Sequence, residues 1–174
     1  MRKVTLFIAS SLDNFIARLD GGIDWLFSDG DYGYERFYDS IDTVLMGRKT
    51  YETAVRLGEG FSGKECYVFT RFPENDLKTA ENIHLESDPP NLVKRLRLAK
   101  GKDIFLEGGG ETISAFLNDG LIDEIVLSVH PIILGGGIPL FNNVKKEVKL
   151  QLMNSTRYQS GLVQLHYQVL GNRS

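Results

Sequence analysis

Cysteine occurs once in the 174 residues, at Cys66. A single thiol forms no internal disulfide. It begins the apolar run Cys66-Tyr67-Val68-Phe69, so it reads as a small core residue rather than a nucleophile. The three histidines, His84, His130 and His166, are scattered, and no cluster has the spacing of metal ligands. Neither sign of charge dominates. The net charge of -3 argues against a protein that tracks nucleic-acid phosphates. Long apolar runs are missing as well: Val4 to Ala9 is too short for the core of a signal peptide, and no later stretch could span a bilayer. The expectation is a cytoplasmic protein with no membrane and no nucleic-acid partner.

What is present is the composition of an ordinary globular protein, 42% hydrophobic and 25% charged, in a length that suits one domain over residues 1–174. Val4 to Ser10 is β-branched, aromatic and apolar, a buried first strand. A loop follows, with Phe15-Ile16-Ala17 as an apolar return and Asp20-Gly21-Gly22 as a turn signal. Tyr32 to Ser40 reads as a short helix, Asp42 to Met46 as a strand, Arg48 to Val55 as a helix and Glu65 to Thr70 as a strand. A surface connection is expected at Phe72-Pro73-Glu74-Asn75-Asp76 and a short strand at Ile83-His84-Leu85. Pro89-Pro90 precede a helix from Asn91 to Ala99. Strand Asp103 to Leu106, helix Glu111 to Asn118 and strand Asp123 to His130 follow. Two last strands, Val148 to Tyr158 and Leu162 to Leu170, are turned into a hairpin by Ser160-Gly161. Strands alternate with helices until this hairpin, which predicts an α/β sandwich whose sheet is mostly parallel and antiparallel at its C-terminal edge.

Four segments carry chemistry. Gly108-Gly109-Gly110 joins an apolar strand to a helix, and a helix start offers free N–H groups and partial positive charge to a phosphate. The spacing is not G-x-G-x-x-G, and a tight packed turn is the alternative reading. Met46-Gly47-Arg48-Lys49-Thr50 is a second strand–glycine–helix corner, now with two cations and a hydroxyl; solvated basic residues at an ordinary junction account for it equally. Thr70 and Arg71 stand where a buried strand surfaces, the edge at which ligands of open α/β sheets collect. Arg71 is either a phosphate grip or a solvated side chain. Ala9 to Ala17 could lay backbone groups against a carboxamide.

Ser11-Leu12-Asp13-Asn14-Phe15-Ile16-Ala17, Met46-Gly47-Arg48-Lys49-Thr50-Tyr51-Glu52, Val68-Phe69-Thr70-Arg71, Gly108-Gly109-Gly110 and Asp123-Glu124-Ile125-Val126-Leu127-Ser128 come in one order over nearly the whole chain. That order resembles the dihydrofolate reductase superfamily. The stretch from His130-Pro131 through Gly135-Gly136-Gly137 to Pro139-Leu140-Phe141 is similar to the reductase domain of bacterial riboflavin biosynthesis. The resemblance implies a three-layer α/β/α sandwich with NADPH across the carboxyl edge of the sheet. It implies that Ala9 and Ile16 flank the nicotinamide and that Gly47, Arg48, Lys49 and Thr50 hold phosphates from one side. Gly108, Gly109, Gly110, Glu111 and Thr112 would stand on the other side, with Thr70 and Arg71 at the 2′-phosphate. Glu111 is expected to point away from the phosphates.

The resemblance also places a substrate acid at Asp31, with Ser128 supporting it; the alternative for Asp31 is a helix N-cap. The chain departs from the folate pattern at Lys64, where folate enzymes keep an arginine for the substrate carboxylate, and in the residues after Trp25. It has no zinc-deaminase signature. The implied activity is NADPH-dependent hydride transfer to a small heterocyclic or ribosylaminopyrimidine-like substrate, as in a 5-amino-6-(5-phosphoribosylamino)uracil reductase. A true dihydrofolate reductase, or a nucleotide-binding protein without turnover, is the alternative. The loop Leu12 to Trp25 is a candidate lid. Ile132-Ile133-Leu134 with Leu140-Phe141 are either a homodimer interface or part of the core.

Overall fold

Strand β1 (Val4–Ser10) runs through the middle of an eight-stranded sheet, as its apolar, β-branched sequence requires. The computed structural model describes residues 1–58, 60–71 and 80–171; Glu59 and the surface connection expected at residues 72–76 lie outside them. After β1 come the short β2 (Phe15–Ala17), α1 (Tyr34–Ser40), β3 (Ile41–Gly47), α2 (Arg48–Arg56), β4 (Glu65–Phe69) and β5 (Ile83–Glu86). The rest of the chain forms α3 (Pro89–Leu98), β6 (Asp103–Gly108), α4 (Gly110–Asn118), β7 (Glu124–Val129), β8 (Ile138–Pro139), β9 (Leu150–Arg157) and β10 (Val163–Val169).

The sheet order is β5-β4-β3-β6-β1-β7-β10-β9. The first six are parallel to one another, and β10 is antiparallel to both β7 and β9. The expected hairpin at the C-terminal edge is present; the Gly161 N–H donates to Tyr158 O, and Gly161 takes the left-handed φ of 90° that a side chain disfavours.

Alternation along each strand sends side chains to two layers of helix. One face carries Val4, Leu6, Ile104, Leu106 and Ile125, which pack with Leu92, Val93 and Leu96 of α3 and Ile113, Phe116 and Leu117 of α4. The other carries Phe7, Val44, Met46, Cys66, Val68 and Phe105, covered by Tyr51 and Ala54 of α2 and Phe37 and Tyr38 of α1. The result is the expected three-layer sandwich with a mostly parallel sheet.

Most boundaries fall within two residues of expectation. Helix α3 starts at Pro89 because both prolines occupy its first turn, where their missing N–H groups cost nothing, and the Asp88 carboxylate accepts from Asn91 N–H. Helix α1 starts at Tyr34, since Gly33 before it has φ 83°. The Phe15–Ala17 return, expected as loop, is a strand: it pairs antiparallel with β8, Phe15 opposite Pro139 and Ala17 opposite Ile138. Leu140 is fully buried in the main core, whereas Ile133 and Phe141 are exposed. No helix of the described residues is long and apolar enough to cross a membrane.

Candidate active site

Strands β3 and β6 are neighbours, Leu45 opposite Leu106 and Met46 opposite Gly108, so the two glycine corners that follow them emerge side by side. Helix α2 starts after Gly47 and α4 after Gly109, and neither N-terminus has a side-chain cap. Two helix starts with unfilled N–H groups at one edge of the sheet make an electropositive cradle.

Each helix reaches across to the other's glycine. The Gly109 N–H donates to Thr50 Oγ1 at 2.8 Å. A Cβ on Gly47 would stand 2.5 Å from Thr112 Oγ1, and one on Gly110 would stand 2.6 Å from Pro139 O. Two positions of the cradle thus have no room for a side chain, and the Gly108–Gly109 peptide is cis. Arg48 is half-buried and its Nε donates to Glu52 at 2.8 Å, while Lys49, Glu111 and Arg71 are exposed. Thr70 N–H donates to Glu86 O, which sets Thr70 and Arg71 just past the ends of β4 and β5.

Towards the carboxyl end of β1, Ala9 pairs with Ser128, and Ser128 pairs with Gln164. Residues opposite one another in adjacent strands share a face, so the three form a row on the α1 side of the sheet. Ser128 is buried, and its Oγ accepts from Gln164 Nε2 at 3.1 Å. Phe7, two residues before Ala9 and on the same face, stacks on Phe37 with ring centroids 4.6 Å apart and meets Tyr34 edge-on at 5.6 Å.

Asp31 does not lie in a buried position. It is exposed, and its two carboxylate oxygens accept from the N–H groups of Gly33 and Glu35 at 2.9 and 2.7 Å, the local cap that α1 needs. Lys64 is also committed: its ammonium donates to Tyr38 O and Ile41 O at the end of α1 and lies over the Tyr38 ring. A lysine fastened in this way is not placed to meet a substrate carboxylate.

Three residues given no site role from the sequence tie these loops and strands together. Asp13 accepts from the Ser11 hydroxyl and from Leu134 N–H and Gly135 N–H, which ties the loop after β1 to the loop after β7. The Ser11 bond is the largest influence holding its carboxyl below the usual range. His130 is buried beneath the strap that precedes α1. Its Nδ1 faces Ser128 O, and its Nε2 accepts from Phe27 N–H at 3.3 Å. A carbonyl only accepts, so the ring is neutral with its proton on Nδ1. Burial pushes its pKa down. Trp25 and Phe27 pack on the same ring. Gln164 is the third. Asp13 lies in the Ser11 to Ala17 segment that carries the resemblance; nothing in the local sequence singles out the other two as partners in one site.

The model of the RibD C-terminal domain matches residues 62–164, more than half of the chain. The chain belongs to the RibD C-terminal domain family. The uncharacterized protein YwjB of Bacillus subtilis (strain 168) is 40% identical over 171 residues, 95% of this chain and 97% of that protein. A Shewanella sp. PV-4 crystal structure, attributed to riboflavin biosynthesis, superposes with a TM-score of 0.87 at 26% identity, covering 97% of this chain and 99% of that one. Dihydrofolate reductase from Enterococcus faecalis superposes with a TM-score of 0.73 over 97% of both chains; at 13% identity it shows the shared fold alone. Membership of the RibD C-terminal domain family and the dihydrofolate reductase-like sandwich agree with the resemblance drawn from the sequence.

Proposed function

We propose that the protein is an NADPH-dependent reductase of a small heterocyclic or ribosylaminopyrimidine-like substrate. The observation that carries this reading is the pair of uncapped helix starts, α2 and α4, held together by the Gly109–Thr50 hydrogen bond. Glycines fit this cradle because side chains would fill it, and backbone N–H groups at a helix start suit a pyrophosphate. Bound NADPH would supply a hydride to an electrophilic carbon.

The chain's own residues would do the rest. Arg48, Lys49 and Thr50, with Gly108, Gly109, Gly110, Glu111 and Thr112 opposite, would hold the phosphates and orient the dinucleotide. Glu111 would contribute backbone only, since its side chain is exposed. Thr70 and Arg71 would receive the 2′-phosphate and favour NADPH over NADH. Ala9 and Ile16 would flank the nicotinamide, and the aromatic wall of Phe7, Tyr34 and Phe37 would exclude water beside it. Ser128 would anchor the far side of the substrate pocket.

A binding protein without turnover is the second reading, and Asp31 favours it: an exposed carboxylate already bonded to two backbone N–H groups is poorly placed to handle a proton. Folate as substrate is disfavoured by the engagement of Lys64. We further propose that residues 1–174 fold as one domain, that it works in the cytoplasm, and that it forms a homodimer; exposed Ile133 and Phe141 remain available for the last, while Leu140 does not.

The test is a titration of the protein with NADPH and NADH by fluorescence quenching, followed by NADPH oxidation at 340 nm against a panel of aminopyrimidines and pterins. Tight NADPH binding with turnover supports the reductase. Binding without oxidation of any compound supports the second reading, and no binding at millimolar coenzyme overturns both.

A further inference from the structure

The carboxamide of Gln164 has a fixed orientation. Its Nε2 donates to Tyr32 O at 3.0 Å and to Ser128 Oγ at 3.1 Å. A backbone carbonyl accepts only, so the amide cannot be turned the other way round, and both of its N–H bonds are spent. The opposite atom, Oε1, has no partner among the described residues. It is also absent from the buried side-chain oxygens that lack one, so it meets solvent from a half-buried side chain.

The clamp is itself held. Tyr32 takes a left-handed φ of 52°, its hydroxyl bonds to Asp29 and Ser160, and its ring meets Tyr158 edge-on. The strap before α1 is thereby fastened to the turn between β9 and β10. Ser128 O in turn faces His130 Nδ1. Gln164 is an oriented acceptor on a rigid strand, where an exposed glutamine would ordinarily sample many rotamers.

Its place in the cleft gives that acceptor a role. Gln164 stands in the row Ala9, Ser128, Gln164, two strands from Ala9, a separation of about 10 Å at ordinary strand spacing. That is the span of one heterocycle with its contacts. The Phe7–Phe37–Tyr34 cluster lies on the same face, with Tyr34 41% exposed. Each Asp31 oxygen already accepts one backbone N–H, which holds the carboxylate against the start of α1 rather than in the row with Ser128.

We propose that Gln164 is a specificity-determining residue whose Oε1 accepts a hydrogen bond from a ring N–H of the substrate. This rests on the reductase reading for the location of the substrate cleft. A neutral carboxamide oxygen to which no described residue donates selects a lactam or imide N–H. It discriminates against a ring edge bearing only lone pairs or an N-methyl group, because such a ligand would displace solvent from the acceptor without replacing its hydrogen bond.

The test uses the full chain, saturated with NADPH and separately without it, and two probes, 5,6-diaminouracil and its 1,3-dimethyl derivative. Calorimetry should show the wild type binding the N–H compound about tenfold or more tightly than the methylated one. Gln164→Met keeps the length of the side chain and removes the acceptor. It should abolish the preference while leaving the NADPH affinity within about twofold; a purely steric exclusion of the methyl groups would survive this change. Gln164→Leu gives the same readout should the methionine variant fail to fold, and Ser128→Ala should reduce the preference without abolishing it. Retention of the preference in Gln164→Met overturns the proposal, as does failure of the wild type to bind either probe at millimolar concentration. A protein that shows the preference but binds no NADPH overturns the reductase reading and leaves the Gln164 assignment standing.

Discussion

The Gly109 N–H and the Thr50 hydroxyl meet at 2.8 Å although 59 positions separate them in the chain. The bond ties the first turn of α2 to the residue before α4, while Thr112 of α4 packs against Gly47 in the opposite direction. Thr50→Val keeps the shape of the side chain and leaves the Gly109 N–H without its acceptor. The expected cost is about 1 kcal/mol, seen as a fall in Tm of about 3 °C, together with weaker NADPH binding. Calorimetric melting and a fluorescence titration of the same sample measure the two effects.

Gly47→Ala introduces a Cβ 2.5 Å from Thr112 Oγ1. Overpacking of this kind costs about 1–3 kcal/mol, and it pushes the two corners apart. Combining it with Thr112→Ala removes the obstructing hydroxyl, so the double variant should be more stable than Gly47→Ala alone. Denaturant melts of the four proteins in the cycle give the coupling; strict additivity sinks this account of the cradle.

Burial lowers the pKa of His130 from its ordinary 6.5. The unfolded chain therefore binds the proton more readily than the folded one, and the stability difference grows with pH between the folded and unfolded pKa values. Stability associated with this group is fully present above about pH 6.5 and is lost as the pH falls through the folded value. Protonation also turns Nε2 into a donor facing the Phe27 N–H, which loosens the strap. His130→Gln cannot titrate and retains an oxygen acceptor. Melting temperatures between pH 5 and 8 should therefore vary less in the variant than in the wild type.

Cys66 is fully buried on β4, and its thiol is pushed up to about 12, first by burial and then by the nearby Glu107. The thiolate is the reactive form. A disulfide reagent at pH 8 should leave the native protein unmodified and label the chain once after denaturation, as read by absorbance and mass. Rapid labelling of the folded protein contradicts the core assignment.

Arg71→Ala tests the coenzyme preference. Loss of a guanidinium at the 2′-phosphate should raise the Kd for NADPH about tenfold while changing that for NADH by less than twofold. Equal effects on the two coenzymes, by titration, place Arg71 outside the phosphate site.

Elements with a strong local pattern were legible in the sequence. The buried run of β1, the strand–glycine–helix corners at Gly47 and Gly109 and the Ser160-Gly161 turn all stand where expected, because each is decided by neighbours along the chain. What escaped depends on partners far away. Phe15–Ala17 becomes a strand only because Ile138–Pro139 lies beside it. Gln164 reads as one more polar residue of an alternating strand until the antiparallel register sets it opposite Ser128. Asp31 illustrates another limit: a carboxylate before a helix serves equally as a cap or as an acid, and only the three-dimensional structure shows that Gly33 and Glu35 have claimed it. Leu140 reads equally as interface or core from the sequence for the same reason, since its neighbours Pro139 and Phe141 are exposed.

Adjacent β3 and β6 are joined through a long excursion of chain that includes α2, β4, β5 and α3, so the cradle between them has no local precursor. Closing that excursion carries a loop-closure entropy cost, which predicts that the two corners meet late in folding. A phosphate-bearing ligand that requires both corners would therefore report completion of the whole central sheet. During refolding, its capture should lag behind the appearance of helix and coincide with the last gain of tertiary order.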